Sequence, residues 1–137
     1  MGQKILIIED EKALAEEWAK GLQYAGYETK IVTTLNEVMN ILNQLDFDLV
    51  LLDIMLPSYD VSDRIKQNSI KWGRIAGLWI AKQIKEREPS MPIFVVSLVT
   101  DQKILDELKQ VGVVKVVSKP ISVKELIDIV ESCLGKV

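Results

Sequence analysis

The sequence predicts an α/β protein with a parallel β-sheet and helices on both faces. Three observations favour this class. Five short apolar runs alternate with segments of helical periodicity along the 137 residues, as in successive βαβ units. Most of the runs are rich in Val, Ile and Leu, which is typical of strands that helices bury on both faces. Charged residues follow several runs, where the carboxyl ends of parallel strands meet at one edge of the sheet.

The first strand is predicted at residues 4–8, and the first helix from about Glu11 to Ala25. Apolar residues recur at every fourth position of this helix and predict one buried stripe: Leu14, Trp18 and Leu22. Gly26 follows, and glycine is the residue that most easily takes the left-handed conformation at a helix end. The apolar stripe and the glycine indicate the same extent for this helix, so we expect a helix with Trp18 in the core.

The second strand, Glu28–Val32, is more polar than the others and suits the edge of a sheet. The second helix is predicted at Thr34–Leu45, because Thr34 and Glu37 form a capping box and apolar residues follow along one side. Asp48–Leu52 is the third predicted strand.

Strands four and five are predicted at Pro92–Val96 and Val113–Val117. Helices are predicted over residues 74–88, 101–111 and 122–134. Right-handed crossovers then give a flavodoxin-like, doubly wound, five-stranded sheet in the order 2-1-3-4-5. The length allows one domain, residues 1–137, with a core of ordinary size.

Residues 58–73 interrupt this rhythm, because polar and charged residues surround a few isolated apolar ones. They predict a long β3–α3 insertion beside the end of the third strand. Connections of this length in compact domains are usually functional or mobile, so we expect it to lie beside the site or to form a partner surface. A solvated insertion without a role remains an alternative.

The composition excludes several function classes. A formal net charge of −3 gives no electrostatic reason to bind nucleic acid directly. Cys133 is the single cysteine and the chain has no histidine to activate it, so thiol catalysis is not expected. No apolar run approaches the roughly 20 residues that span a bilayer, and we therefore expect a cytoplasmic protein without membrane contact.

Three carboxylates follow two of the predicted strands: Glu9 and Asp10 after the first, and Asp53 after the third. Carboxylates that meet at one sheet edge repel each other unless a cation lies between them. Mg²⁺ prefers oxygen ligands and is typically held by one or two carboxylates together with phosphate oxygens. The sequence therefore predicts a Mg²⁺ site at this edge.

A hydroxyl and an ammonium group complete the predicted cluster. Ser97 ends the fourth strand and Lys119 follows the fifth. Both groups can contact phosphoryl oxygens, and a carboxylate between such donors and a metal ion is suited to accept a phosphoryl group. Asp53 is the central candidate for that role.

The motifs around these residues resemble those of response-regulator receiver domains of two-component signalling, the CheY-like family. The resemblance covers nearly the whole chain and rests on four segments in the family's order. They are residues 7–11 (Ile-Ile-Glu-Asp-Glu), 51–57 (Leu-Leu-Asp-Ile-Met-Leu-Pro), 95–97 (Val-Val-Ser) and 118–120 (Ser-Lys-Pro). Each segment alone is weak, and the combination is highly specific.

The resemblance implies that Asp53 accepts a phosphoryl group from a histidine kinase or a histidine phosphotransfer protein. It further implies that Asp10, Asp53 and the backbone carbonyl of Met55 hold Mg²⁺, and that Glu9 assists through water. By the same resemblance, Ser97 turns towards the acyl phosphate.

The resemblance also implies that Lys119 bonds to the acyl phosphate and that the Lys119–Pro120 bond is cis. The domain would then switch a surface for a downstream protein target, as a stoichiometric acceptor rather than an enzyme. The sequence shows no DNA-binding or catalytic output domain after Leu134, so we expect output through protein contact unless the chain is one domain of a longer protein. The oligomeric state stays open.

Three departures from the family pattern limit what the resemblance implies. The insertion is the first. Val116 stands where many receivers carry a switching aromatic residue, so switching would rely on backbone movement or another output face. Met55 and Val99 are both apolar at positions that influence water access to the acyl phosphate, which predicts slow hydrolysis. Trp79 is equally consistent with an exposed contact and with packing beside a neighbouring helix.

Rival functions fit the sequence less well. A haloacid dehalogenase phosphatase needs a second Asp two residues after the first, and Met55 occupies that position. A nucleotide-binding fold needs a glycine-rich turn after the first strand, where this chain has three acids. The main alternative is a degenerate receiver that acts as a phosphorylation-independent interaction module.

Overall fold

The computed structural model describes residues 2–53, 69–97 and 102–135, with side chains from residue 77 onward in the second range. The strands are β1 Lys4–Ile8, β2 Glu28–Val32, β3 Leu49–Leu52, β4 Ile93–Ser97 and β5 Lys115–Ser118. The helices are α1 Lys12–Tyr24, α2 Leu35–Ile41, α3 Ser69–Arg87, α4 Gln102–Val111 and α5 Val123–Leu134.

The five strands form one parallel sheet in the order β2-β1-β3-β4-β5. This order confirms the flavodoxin-like topology that the sequence predicts. β1 lies between β2 and β3, so the chain reverses its winding direction beside β1. Open α/β sheets bind ligands at such a reversal, outside the carboxyl ends of the strands.

Two of the predicted element bounds differ from the observed ones by more than two residues, at the start of α3 and the end of α2. α3 begins at Ser69 and not at residue 74, so the last five residues of the predicted insertion are helical. Gly73 lies inside this helix, because a helix tolerates an interior glycine at a cost of about 1 kcal/mol relative to alanine. Residues 58–68 of the insertion lie outside the described residues. α2 ends at Ile41, before the predicted Leu45.

Each face of the sheet carries its own apolar layer. Along β1, Leu6 and Ile8 contribute to one layer, while Ile5 and Ile7 contribute to the other, as the period of two in a strand requires. Helices α2, α3 and α4 cover the first layer, and α1 and α5 cover the second. The sheet is therefore doubly wound, and β1, β3 and β4 are buried on both faces.

Gly21 allows α1 and α5 to approach closely. A Cβ atom at this position would overlap Val123 Cγ1 of α5 and would lie 3.6 Å from Ile127 Cδ1. The opposite end of α5 is tied to the start of β2 by a hydrogen bond from the Tyr27 hydroxyl to the Gly135 carbonyl, at 2.9 Å. These contacts fix α5, and with it the β5–α5 connection.

Backbone hydrogen bonds continue past the ends of three strands. The N–H groups of Glu9 and Asp53 donate to the carbonyls of Val32 and Ile8, at 3.1 and 2.9 Å. The Lys119 N–H donates to the Ser97 carbonyl at 3.0 Å. The residues that follow the strands are therefore held as firmly as the sheet itself. Among the described helices, none combines the length and apolar character that crossing a bilayer requires.

Candidate functional site

The three predicted carboxylates come together at the carboxyl edge of the sheet. Glu9, Asp10 and Asp53 each offer an oxygen, and these oxygens all lie within 4.8 Å of one another. Glu9 is fully buried and Asp53 is 2% exposed, whereas Asp10 is accessible to solvent. The ends of β1 and β3 thus hold two buried acids beneath a third that water can reach.

Lys119 provides the positive charge beside these acids. Its Nζ donates to Glu9 Oε1 at 2.6 Å and lies 3.5 Å from Asp53 Oδ2. The peptide bond between Lys119 and Pro120 is cis, as the resemblance implies. One ammonium group therefore contacts both buried carboxylates.

The environment of Glu9 favours its neutral form. Burial raises the pKa of Glu9 to about 8, and the hydrogen bond with Asp10 and the charge of Asp53 act in the same direction. Lys119 and the N–H of Glu11, which donates to Glu9 Oε2 at 3.2 Å, oppose this rise. The burial of Glu9 therefore outweighs its contact with Lys119 in setting its protonation state.

The environment of Lys119 favours its charged form. Burial alone would lower the pKa of Lys119, but the hydrogen bond to Glu9 and the charges of Asp53 and Glu9 outweigh it and raise the pKa above 10.5. Lys119 therefore stays protonated at every pH at which the site is expected to work.

Ser97 is the last residue of β4 and is 1% exposed. The sheet pairs it with Ser118, the residue that precedes Lys119. Ser97 thus lies at the same edge as the acids and Lys119. Met55 and Val99, to which the sequence analysis also assigns expectations, lie outside the described residues.

The sequence analysis also singles out two apolar residues, Val116 and Trp79. Val116 is partly buried and packs against the layer beneath α2, α3 and α4. Trp79 is also partly buried and packs against the same layer, which favours the packed alternative for this residue.

Trp18 is the residue whose relation to the site the sequence does not reveal. It is buried in the layer beneath α1, as predicted, and Lys119 Nζ lies over its ring, 5.9 Å from the centroid. The only sequence signal is indirect: Trp18 lies two turns into the helix that follows Glu9 and Asp10.

The donor set fits a hard divalent cation. Its described ligand atoms are carboxylate oxygens, two of the acids are buried, and the ammonium group of Lys119 contacts both buried acids. Mg²⁺ and Ca²⁺ prefer such ligands, whereas zinc sites usually include His or Cys. A cation would also offset the charge of Asp53, which adds to the effect of burial in raising the pKa of Glu9.

Comparison with known proteins identifies the fold and the family. The model of the response regulator receiver domain matches residues 5–131. A CheY-like receiver domain protein from Methanospirillum hungatei JF-1 superposes with a TM-score of 0.79 at 20% identity, over 96% of this chain and 93% of that one. The BeF3-activated receiver domain of DrrB matches with a TM-score of 0.76 at 24% identity, over 99% of this chain and all of the other.

A longer regulator also matches. DrrB, an OmpR/PhoB homologue of Thermotoga maritima, gives a TM-score of 0.75 at 25% identity over 98% of this chain. The match covers 53% of DrrB, so this chain corresponds to about half of that protein. The acidic cluster of Glu9, Asp10 and Asp53 fits the phosphoacceptor site of such a domain. Because the family model matches most of its length, the chain belongs to the response regulator receiver domains of two-component signalling.

Proposed function

We propose that Asp53 accepts a phosphoryl group from a histidine kinase or a histidine phosphotransfer protein, and that this switches a surface for a downstream protein target. The observation that supports the proposal is the position of Lys119 Nζ, 2.6 Å from Glu9 and 3.5 Å from Asp53 at the end of β3. A fixed ammonium beside a buried carboxylate can stabilise the charge of an incoming phosphoryl group.

In the proposed step, an Asp53 carboxylate oxygen attacks phosphorus and forms an O–P bond. The P–N bond to the donor histidine breaks, and the imidazole nitrogen keeps the electron pair and takes up a proton. Lys119 donates a hydrogen bond to a phosphoryl oxygen, and Ser97 donates another from the end of β4. The protein is consumed as a stoichiometric acceptor, so we do not propose an enzymatic role.

Asp10, Asp53 and the backbone carbonyl of Met55 are the residues that would hold Mg²⁺, and Glu9 would assist through water. The bound cation supplies positive charge to the phosphoryl oxygens. Asp10 suits the first contact because solvent reaches it, while buried Glu9 keeps Lys119 in place through the 2.6 Å bond.

A related regulator supports the same chemistry. A response regulator protein from Burkholderia pseudomallei contains a phosphorylated aspartic acid and a calcium ion, and it matches at a TM-score of 0.74 and 18% identity over 96% of this chain and 66% of that one. By analogy, Asp53 is the residue of this chain that would carry the phosphoryl group.

The test is the intact mass of the protein after incubation with Mg²⁺ and acetyl phosphate or phosphoramidate. We expect one added phosphoryl group, absent from Asp53→Asn and reduced when Mg²⁺ is chelated. Asp48→Asn is the matched control, because Asp48 lies at the opposite end of β3 and accepts a hydrogen bond from the Lys4 backbone. A wild-type protein that neither small donors nor a cognate kinase phosphorylates would instead support the phosphorylation-independent interaction module.

A further inference from the structure

We propose that Trp18 is a positioning residue for Lys119, whose ring face holds the ammonium group beside the phosphoacceptor. This inference rests on the proposed function of Asp53 and adds a residue to it. Trp18 belongs to α1, and the contact with the site on which this proposal rests is the one between its ring and Lys119 Nζ. Its effect would pass through Lys119 alone.

The first argument concerns the ring itself. Trp18 is 1% exposed and is among the largest fully buried side chains of the described residues. Buried indole N–H groups usually find a hydrogen-bond partner, yet Trp18 Nε1 has none within the described part of the chain. Its orientation is therefore not set by a hydrogen bond, and its ring-face contact is with Lys119 Nζ, 5.9 Å from the centroid.

The second argument is that the apolar surroundings of Trp18 do not by themselves require an aromatic side chain. The neighbouring buried positions of α1 are Ala15, Ala19 and Leu22, and the layer beneath them is aliphatic apart from Tyr27 and Phe94. Leucine or methionine could also fill such a wall. An aromatic face adds an attraction for a cation, which no aliphatic side chain provides.

The third argument concerns the state of Lys119 during phosphorylation. In the resting site, Lys119 is held by Glu9 and Asp53. Both acids are candidates to interact with Mg²⁺, and Asp53 would become an acyl phosphate, so both contacts would change as the reaction proceeds. The Trp18 ring carries no ionisable group and does not change. It can keep the ammonium group in place, which is the preorganisation that electrostatic catalysis requires.

The test compares Trp18→Leu and Trp18→Phe with wild type for the rate of phosphorylation by phosphoramidate at saturating Mg²⁺. Because Phe retains a ring face, Trp18→Phe should stay within about twofold of wild type, and Trp18→Leu should be slower by roughly threefold to tenfold, as expected for a cation–π contact at a partly buried site. Leu22→Ala is the control, since Leu22 lies one turn away in the same buried layer and its loss destabilises α1 without removing a ring. Equal slowing in Leu22→Ala and Trp18→Leu, or no slowing in Trp18→Leu, would overturn the proposal.

A second readout does not depend on phosphorylation. In a protein with Trp72→Phe and Trp79→Phe, Trp18 is the only indole, and its emission should change when Lys119→Met removes the cation above the ring. Lys115→Met, at the exposed first residue of β5, should leave the emission unchanged. If no donor phosphorylates wild type, the proposed function fails, while this comparison still decides whether the ring contacts the ammonium. Unchanged emission in Lys119→Met would show that it does not.

Discussion

The ammonium group of Lys119 lies closer to Glu9 than to Asp53, at 2.6 Å against 3.5 Å. The shorter of the two contacts of the lysine is thus with the acid that is not the proposed phosphoacceptor. A bound cation or phosphoryl group that weakens the hydrogen bond between Lys119 and Glu9 would therefore allow the ammonium group to move towards Asp53.

The raised pKa of Glu9 predicts how stability depends on pH. The folded protein holds a proton on Glu9 up to about pH 8, whereas the unfolded chain loses it near 4.5. Between these values the folded state binds more protons, so the free energy of unfolding of the metal-free protein should fall as pH rises from 4.5 to 8 and then level off. Urea titrations in EDTA at several pH values measure this slope. Glu9→Gln should flatten it, and an unchanged slope in that variant would contradict the assignment.

Removing Lys119 should destabilise the protein by an amount that depends on pH. Breaking a buried ion pair typically costs about 3–5 kcal/mol when it leaves a charge behind. Below pH 8, Glu9 can take up a proton instead, so Lys119→Met should cost less at pH 6 than at pH 9. Chemical denaturation at the two pH values checks this prediction. Lys4→Met breaks an exposed ion pair with Asp46 and serves as the control, with a small effect at both pH values.

Mg²⁺ should stabilise the folded protein through the three carboxylates. A ligand at 100 times its dissociation constant adds about 2.7 kcal/mol to the free energy of unfolding. The effect should be larger at pH 8 than at pH 6, because a cation competes with the proton that Glu9 retains at lower pH. Thermal unfolding with and without Mg²⁺ measures it. Asp10→Asn should weaken the response, and a full response in that variant would place the cation elsewhere.

Gly21→Ala should destabilise the packing of α1 on α5. Alanine is favoured over glycine in a helix by about 1 kcal/mol, but a Cβ atom here would overlap Val123 Cγ1, and overpacking typically costs about 1–3 kcal/mol. We expect a net loss by urea denaturation. The double variant Gly21→Ala/Val123→Ala should recover most of it, and purely additive losses would show that the steric contact is not the cause.

The sequence predicts the sheet and the site for the same reason. Uninterrupted apolar runs mark strands that are buried on both faces, and in a parallel sheet their carboxyl ends meet, so Glu9, Asp53, Ser97 and Lys119 could be placed together before any coordinates were known. Local signals also sufficed at α2, where the Thr34 hydroxyl accepts the predicted hydrogen bond from the Glu37 N–H at 3.2 Å.

Other features could not be predicted because they depend on contacts between distant parts of the chain or on weak local preferences. The approach of Lys119 to the Trp18 ring requires α1 and the β5–α5 connection to be packed together, and no local pattern encodes it. The start of α3 at Ser69 was misplaced by sequence reasoning because a single glycine and scattered charges are poor helix boundaries. The burial of Trp79 could not be predicted for the same reason, because it depends on packing against a layer to which several elements contribute.

The hydrogen bond from the Lys119 backbone to the Ser97 carbonyl, at 3.0 Å, joins through the main chain the two residues that we propose to bind the phosphoryl group. A displacement of the end of β4 would therefore also move the Lys119 backbone. The Ser97 hydroxyl and the Lys119 ammonium group would then shift together. With valine at position 116 of β5, no bulky ring swings independently of these two residues. Phosphorylation would then be transmitted by a joint displacement of the end of β4 and the residue that follows β5.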